Sequence, residues 1–191
     1  MTGALIIYLS MLLFTPGTGV SSVPGNMGSQ DHHSRNPLLN GRIWRNGYPR
    51  AQGHQFFITG YYVKGSVVFD GRRYEGLDLK YDIAGDELIL WIDSYPVIIM
   101  NKEMVDSFSL RIENKDYIFF NAGNDTTRIL SGYVNLLYSG PTALYVRYSK
   151  KVQPLAVDGI YDLFIDEKQV FIQRDTTAVQ VGSRRSLLRT L

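Results

Sequence analysis

The chain has 191 residues, of which 45% are hydrophobic and 13% aromatic, a length and composition that suit one globular domain or two small ones. It contains no cysteine, which excludes disulfides, thiolate zinc sites and a catalytic cysteine. Residues 55–173 carry 12 basic and 16 acidic side chains, and the positive charge lies at the two ends. Because a nucleic-acid-binding protein concentrates basic residues on its folded body, we expect no nucleic-acid partner.

An apolar run begins at Ala4 and ends at Phe14, and Pro, Gly and small residues follow it up to Ser22. This order is typical of a secretory signal peptide, and the run is shorter than the roughly 20 residues that span a bilayer. We therefore predict a signal peptide over residues 1–22 and an exported protein with no stable transmembrane segment after cleavage. The alternative is a buried strand or helix. Export without disulfides favours a bacterial envelope.

Residues 23–54 are rich in Gly, Asn, Pro and Ser and have little periodicity, which indicates a leader or linker. Within it, Ile43 and Trp44 form a candidate apolar anchor. From Gln55 onward the pattern is almost wholly that of strands, so we predict a single β-rich domain over residues 55–191.

Short segments of this domain alternate apolar and polar residues, as at 77–82 and 107–113, which places the apolar side chains on one face of a strand. The first strand is predicted over 55–63. Asp70-Gly71 predicts a tight hairpin between the runs that flank it. Residues 87–93 are apolar on both faces, as expected of a central strand.

Further hairpins are predicted about Asn114-Lys115, about residues 139–141 and about residues 166–168. At the end of the chain, residues 183–191 have the spacing of a short helix. The predicted fold class is therefore all-β and mainly antiparallel, with consecutive hairpins forming a sandwich or partly open barrel and a short C-terminal helix.

Carboxylates are densest between residues 78 and 93, where Asp82, Asp86 and Glu87 are candidate metal ligands alongside Asp78 and Asp93. Oxygen ligands of this type suit Ca²⁺, and paired carboxylates also hydrolyse glycosidic bonds. The alternative is structural, because Asp78 and Asp82 share the solvated face of a strand and Asp86 and Glu87 sit at a turn. The spacing also lacks the repeat of a calcium loop.

Alternation in the predicted hairpin at 129–148 places Tyr133 on one strand, and Tyr145 with Arg147 on the other, beside apolar carbons. Tyrosine and arginine are enriched at binding hot spots, so these three residues are a candidate binding surface. The alternative is that the tyrosines only stack across neighbouring strands.

Catalytic and cofactor motifs are missing from the chain. The histidines are His32, His33 and His54, so no histidine follows residue 54 in the predicted β-rich domain. Because a Ser-His-Asp triad needs a histidine in the domain core, no such triad is expected. His32-His33 could bind a metal, although a solvated pair explains it as well. Neither GxGxxG nor GxxxxGK[ST] occurs, and we predict no cofactor and no enzymatic activity.

Three motifs in combination resemble a family of uncharacterised exported proteins of Bacteroidetes-type bacteria, and the resemblance spans about residues 56–191. These motifs are Tyr81-Asp82-Ile83 with Asp86-Glu87-Leu88, then Leu144-Tyr145-Val146-Arg147 ahead of Lys150-Lys151, and finally Ser183-Arg184-Arg185-Ser186-Leu187-Leu188. The resemblance implies an envelope protein of unknown role.

These observations together predict a non-enzymatic exported protein of the envelope or periplasm that acts by protein–protein interaction. It would lie in the periplasm, at the outer membrane or outside the cell, and its partner would be another envelope protein. A carbohydrate- or Ca²⁺-binding exported protein is the alternative, and an outer-membrane β-barrel is a further one.

Overall fold

The computed structural model describes residues 36–123, 129–174 and 177–182, which form a nearly all-β architecture. The strands of the described residues are β1 (Gly41–Ile43), β2 (Ala51–Gln52), β3 (Val63–Phe69), β4 (Arg72–Asp82), β5 (Glu87–Trp91), β6 (Ile98–Met100), β7 (Val105–Ile112), β8 (Lys115–Asn121), β9 (Tyr133–Tyr138), β10 (Thr142–Val157), β11 (Tyr161–Arg174) and β12 (Thr177–Val181). Two short 3-10 helices cover Asn36–Leu39 and Lys102–Met104.

All these strands belong to one open, mainly antiparallel sheet, so the predicted fold class is confirmed. The order across the sheet is β1-β6-β5-β4-β3-β7-β8-β9-β10-β11-β12, and β2 pairs in parallel with β11. The predicted signal peptide and the predicted helix over 183–191 lie outside the described residues.

Tight turns explain why most neighbours in the sheet are also neighbours in sequence. Asp70 and Gly71 have φ of 50° and 70°, a left-handed pair that joins β3 to β4 as predicted. Glu113 and Asn114 have φ of 48° and 62° and join β7 to β8 in the same way.

The predicted hairpin about residues 166–168 is wrong, because β11 continues through them as one strand of 14 residues. Asp166 pairs with Lys150 and Glu167 with Ser149 on β10, so the charged stretch is stabilised by the opposite strand. The turn lies instead at Asp158 and Gly159, whose φ values are 50° and 65°.

The predicted strand over 55–63 is also wrong, since β3 begins only at Val63 and the preceding residues form a single bridge, Phe56 with Asp82. The Phe57 N–H donates to the carbonyl of Tyr81 at 2.8 Å, which ties the segment to the end of β4. Ile58, with φ of 55°, then turns the chain away from the sheet.

The sheet curls around an aromatic core. The ring of Phe57 lies 6.3 Å from that of Tyr81 on β4, 5.1 Å from Tyr117 on β8 and 4.8 Å from Tyr148 on β10. These strands are not adjacent in the sheet, so one side chain meets all three only if the sheet bends around it. The Lys150 N–H, which donates to the Ile83 carbonyl at 3.3 Å, links β10 to the end of β4 directly.

Strand β5 is covered on both faces, as predicted from its apolar run. Leu88 and Leu90 belong to the main core, whereas Ile89 packs in a second, smaller cluster with Phe56 and Ile99. All three β5 side chains are 0–1% exposed.

Residues 36–54, the described part of the predicted leader over 23–54, contribute two short strands, β1 and β2, to the same sheet. Leu38 is fully buried in the main core, and β1 pairs with β6. Of the predicted anchor, the Trp44 ring lies 6.1 Å from the ring of Phe56, whereas Ile43 is 58% exposed.

Candidate functional site

Asp86 occupies the turn between β4 and β5 and binds three neighbours with its carboxylate. Its Oδ1 accepts from the Tyr81 hydroxyl at 2.7 Å and from the Tyr133 N–H at 3.3 Å, and its Oδ2 accepts from Lys102 Nζ. Gly132 has φ of 73°, which favours glycine, and a Cβ at that position would lie 2.2 Å from Asp86 Oδ2, so a side chain there would also displace the carboxylate. The carboxylate thus joins β4, β9 and the 3-10 helix before β7.

Asp82 is buried and turns its carboxylate back onto its own chain. Its Oδ1 accepts from the N–H groups of Ala84 and Gly85 at 2.9 and 3.0 Å, the arrangement of an Asx turn. Burial raises the pKa of Asp82, and these two backbone donors oppose that increase. Asp82 therefore shapes the β4–β5 turn.

Glu87 faces a different partner, Arg42 of β1, with which it forms an ion pair. Burial raises the pKa of Glu87, and the charge of Arg42 opposes the increase. Glu87 and Asp86 line one cleft of about 380 Å³, where Arg42 and Lys102 balance their charges.

The structure therefore does not gather the three candidate ligands around one point. Asp82 Oδ1 faces the turn, whereas Asp86 and Glu87 each face a cation. Asp78 is paired with Lys64, and Asp93 Oδ1 accepts from the Ser94 N–H. Within the described ranges no group of three His, Asp or Glu side chains is placed to hold a metal ion.

The prediction that Tyr133 belongs to the binding surface is wrong, because its side chain is fully buried in the main core. Its ring packs edge-on against Tyr81 and Phe108 at 5.7 and 5.0 Å. Its hydroxyl has no hydrogen-bond partner among the described residues, and burial raises its pKa. Tyr133 and Asn135 share one face of β9, and Asn135 pairs with Val146 of β10, so Tyr133 lies on the face opposite to that of Tyr145 and Arg147.

Tyr145 and Arg147, the other two predicted surface residues, are half-exposed and lie on the face of the sheet opposite the main core. Tyr145 pairs with Leu136 of β9. The Arg147 Nη1 donates to Ser131 Oγ at 3.2 Å, so its guanidinium is held beside the start of β9.

Strand β8 adds two exposed apolar side chains to this face. Ile118 is 45% exposed and Phe120 39% exposed, whereas Phe119 between them is completely buried. Phe120 pairs with Val134, which lies two residues before Leu136 on β9 and so shares its face. We call the set Ile118, Phe120, Leu136 and Tyr145 the outer patch.

A second cleft lies on the inner side of the sheet and was missed by the sequence reasoning. It has a volume of about 530 Å³ and is lined by His54, Phe57, Ile58, Ile83, Lys115, Tyr117, Tyr148, Lys150, Asp166 and Lys168. We call it the lysine–tyrosine cleft. Its sequence signal is an aromatic residue two positions from a lysine, at 115–117 and 148–150, which puts both on one strand face.

His54 borders this cleft and is not placed as a metal ligand. Its Nδ1 accepts from the Phe56 N–H at 3.2 Å, and its ring stacks on that of Phe56. Burial lowers the pKa of His54, and the nearby charge of Lys150 lowers it further. The ring is therefore neutral at pH 7. His32 and His33 lie outside the described residues.

No helix in the described part of the chain is both long and apolar enough to cross a membrane. Comparison with protein-family models, with curated proteins and with solved structures gave no match.

Proposed function

We propose that this chain is a non-enzymatic exported protein of a bacterial envelope that acts by protein–protein interaction through the outer patch. The observation that carries the proposal is the exposure of Ile118 and Phe120 on one face of β8, next to Leu136 on β9 and Tyr145 on β10. Contiguous apolar side chains on a soluble surface mark interaction sites more often than scattered ones do.

The surroundings of the outer patch support an interface. On β7, Ser109 pairs with Ile118 and Ser107 with Phe120, so small polar side chains border the apolar ones. An apolar centre with a polar rim is the usual anatomy of a protein interface. The backbone beneath is fixed in the sheet ladder, so little conformational entropy is lost when a partner binds.

The proposed location in the envelope is supported by the apolar run at 4–14 and by the resemblance described above. The same two sequence features support another envelope protein as the partner. The acidic balance of residues 55–173 argues against a nucleic-acid partner. The assigned partner class is therefore a protein.

Site-specific photo-crosslinking tests the proposal. A photoreactive residue at Phe120 is expected to capture a defined envelope protein, whereas the same residue at Tyr61, which is 81% exposed and distant in sequence, is not. Equal capture at both positions would contradict the proposal.

Affinity then supplies the decisive measurement. The captured protein, purified, is expected to bind the wild type and to lose at least about tenfold in affinity for the Ile118→Ser/Phe120→Ser variant, because hot-spot side chains carry most of an interface's binding energy. The matched control is Ile43→Ser/Tyr61→Ser, which removes two other exposed apolar side chains. Wild-type affinity in the first variant would refute the outer patch as the contact surface.

The alternative of carbohydrate binding gains support from the lysine–tyrosine cleft rather than from the carboxylates around Asp82. Aromatic rings and polar groups line that cleft together.

A further inference from the structure

The lysine–tyrosine cleft is a concave site with an apolar floor. Phe57 and Ile83, which are 4% and 5% exposed, form the floor, and Tyr117 and Tyr148 line it from β8 and β10. Both tyrosine rings pack against Phe57, so their positions are fixed by the core. A volume of about 530 Å³ falls within the range of small-molecule sites.

The charges of the cleft do not balance. Lys150 is satisfied internally, because its Nζ donates to the carbonyl of His54 at 2.6 Å and lies 3.7 Å from Asp166 Oδ1. Asp166 is the single carboxylate among the lining residues. Lys115 and Lys168 form no ion pair with any carboxylate of the described ranges, which leaves two exposed cations at the cleft.

Both of these lysines lie above aromatic rings. Lys115 Nζ is 4.7 Å from the centre of the Tyr117 ring, and Lys168 Nζ is 5.6 Å from that of Tyr148, the residue with which it pairs across β10 and β11. A cation over an aromatic face at an exposed site is held only weakly. An anion entering the cleft therefore meets two ammonium groups that are positioned but not neutralised.

The tyrosine hydroxyls add neutral hydrogen-bonding groups beside these cations. Burial raises the pKa of Tyr148, and the neighbouring Tyr117 raises it further, so the Tyr148 hydroxyl stays protonated at pH 7. Aromatic rings, neutral hydroxyls and cations together match a ligand that has an apolar ring face, hydroxyl groups and a negative charge.

We propose that the lysine–tyrosine cleft binds an acidic saccharide, with its anionic group between Lys115 and Lys168 and its ring against Tyr117 and Tyr148. The charge is supplied by a carboxylate, as in a uronic acid, or by a sulfate ester. This site lies on the opposite side of the sheet from the outer patch and does not depend on the proposed function.

Titration calorimetry of the wild type at pH 7 tests the proposal with four probes: trigalacturonate, a sulfated disaccharide, maltotriose and inorganic sulfate. Binding of at least one acidic saccharide is expected, with no heat from maltotriose and weaker binding of inorganic sulfate. The two acidic probes distinguish a carboxylate from a sulfate ester. Absence of binding by both would overturn the proposal, and so would equal affinity for inorganic sulfate and the sulfated disaccharide.

Variants locate the site. Lys115→Gln/Lys168→Gln is expected to weaken binding at least about tenfold, since it removes two charge-assisted contacts. Lys64→Gln/Lys151→Gln has the same net charge and keeps both cleft lysines, so it is expected to bind like the wild type. An equal loss in both double variants would mean a diffuse electrostatic effect and would refute the site.

Two further variants distinguish a loss of saccharide binding from a loss of folding and from an effect of the outer patch. Tyr148→Phe removes one hydroxyl while the ring remains, and is expected to weaken saccharide binding with an unchanged melting temperature. Ile118→Ser/Phe120→Ser is expected to bind the saccharide normally. Wild-type affinity in Tyr148→Phe together with wild-type affinity in Lys115→Gln/Lys168→Gln would exclude the cleft.

Discussion

The hairpins β7–β8 and β10–β11 are built from the same alternating pattern but are covered very differently. In β7–β8, Phe108 and Phe119 stack at 4.8 Å and are both buried in the main core. In β10–β11, strands of 16 and 14 residues extend to a turn at Asp158-Gly159, where Leu155, Ile160 and Tyr161 are 45–59% exposed.

The comparison shows that period-two patterning specifies strands whether or not anything packs on them. The short hairpin is stabilised by apolar burial, which contributes about 25 cal/mol per Å² of apolar area. The long one depends more on its backbone ladder and on cross-strand charge pairs, each of small energy. Both candidate binding sites use side chains of these two hairpins. The outer patch spans β8, β9 and β10, because β9 lies between the two hairpins in the sheet. The lysine–tyrosine cleft is lined by residues of β8, β10 and β11.

The largest expected effect is in the covered hairpin. Phe119→Ala is expected to lower the free energy of unfolding by about 3–5 kcal/mol, because it leaves a cavity among Phe57, Tyr81 and Phe108. Urea unfolding measures the loss. The neighbouring Phe120→Ala, on the exposed face of the same strand, is the control and should cost less than about 1 kcal/mol. Equal losses would show that the two faces of β8 are covered alike.

The next largest effect is expected at Asp86, whose carboxylate joins β4, β9 and the 3-10 helix before β7. Asp86→Ala is expected to lower the free energy of unfolding by about 1–3 kcal/mol, since the Tyr81 hydroxyl, the Tyr133 N–H and Lys102 all lose an acceptor. Asp86→Asn keeps a carbonyl oxygen for Tyr81 and should lose less. If alanine and asparagine destabilise equally under the same denaturant conditions, the hydrogen bonds are not what matters at this position.

The charge pairs of the β10–β11 hairpin are expected to contribute less to the free energy of unfolding than Phe119 or Asp86 does. Lys151 and Glu167 lie 2.7 Å apart, with Lys151 largely exposed, and a double-mutant cycle with Lys151→Ala and Glu167→Ala is expected to give about 0.2–1 kcal/mol of coupling energy. Raising the salt concentration should reduce it. A coupling that persists in high salt would indicate a buried pair and would remove the contrast with β7–β8.

Asp82 gives the smallest effect, a change in the pH dependence of stability. Because burial raises its pKa above the ordinary 3.8, the folded state binds its proton more tightly, and this group makes the protein less stable as pH rises from about 4 through the raised pKa. Asp82→Asn keeps an acceptor for Ala84 and Gly85 and removes this slope.

The measurement for Asp82 is thermal unfolding across pH 3.5–7, in roughly half-unit steps chosen to bracket the carboxyl range. The difference between wild type and Asp82→Asn contains the titration of Asp82 together with the part of the Glu87 shift that the Asp82 charge causes, since Glu87 titrates in both proteins. A difference curve that rises or stays flat over this range would contradict a raised pKa. Asp78→Asn, which removes the half-buried carboxylate paired with Lys64, serves as the control.

Much of the fold was predictable from local chemistry. Asp70-Gly71 predicted its hairpin because both residues tolerate positive φ, and the apolar run at 87–93 predicted a strand covered on both faces. The continuation of β11 through residues 166–168 was not predictable from these polar residues, because their partners are on β10, as with Asp166 and Lys150, which lies 16 residues earlier in the chain. The same Asp-Gly pair as at residues 70–71 occurs at Asp158-Gly159, where the chain turns between β10 and β11.

The candidate sites were less predictable. Tyr145 and Arg147 were placed on the correct face, but Tyr133 was not, since its burial depends on Tyr81 and Phe108 from other parts of the sheet. Proximity in sequence suggested that Asp82, Asp86 and Glu87 act together. Their side chains instead face separate partners, because each carboxylate is satisfied by the donors that folding brings to it.

By itself, the amino-acid sequence determined the strands, most of the turns and which side chains share a face, since these follow from period-two geometry and positive-φ residues. Only the tertiary structure decided which face is covered, where the lysine–tyrosine cleft opens and which carboxylates are neutralised. The physical reason is that local patterning sets the direction of a side chain, whereas its environment depends on how far the sheet curls and which distant strands then meet.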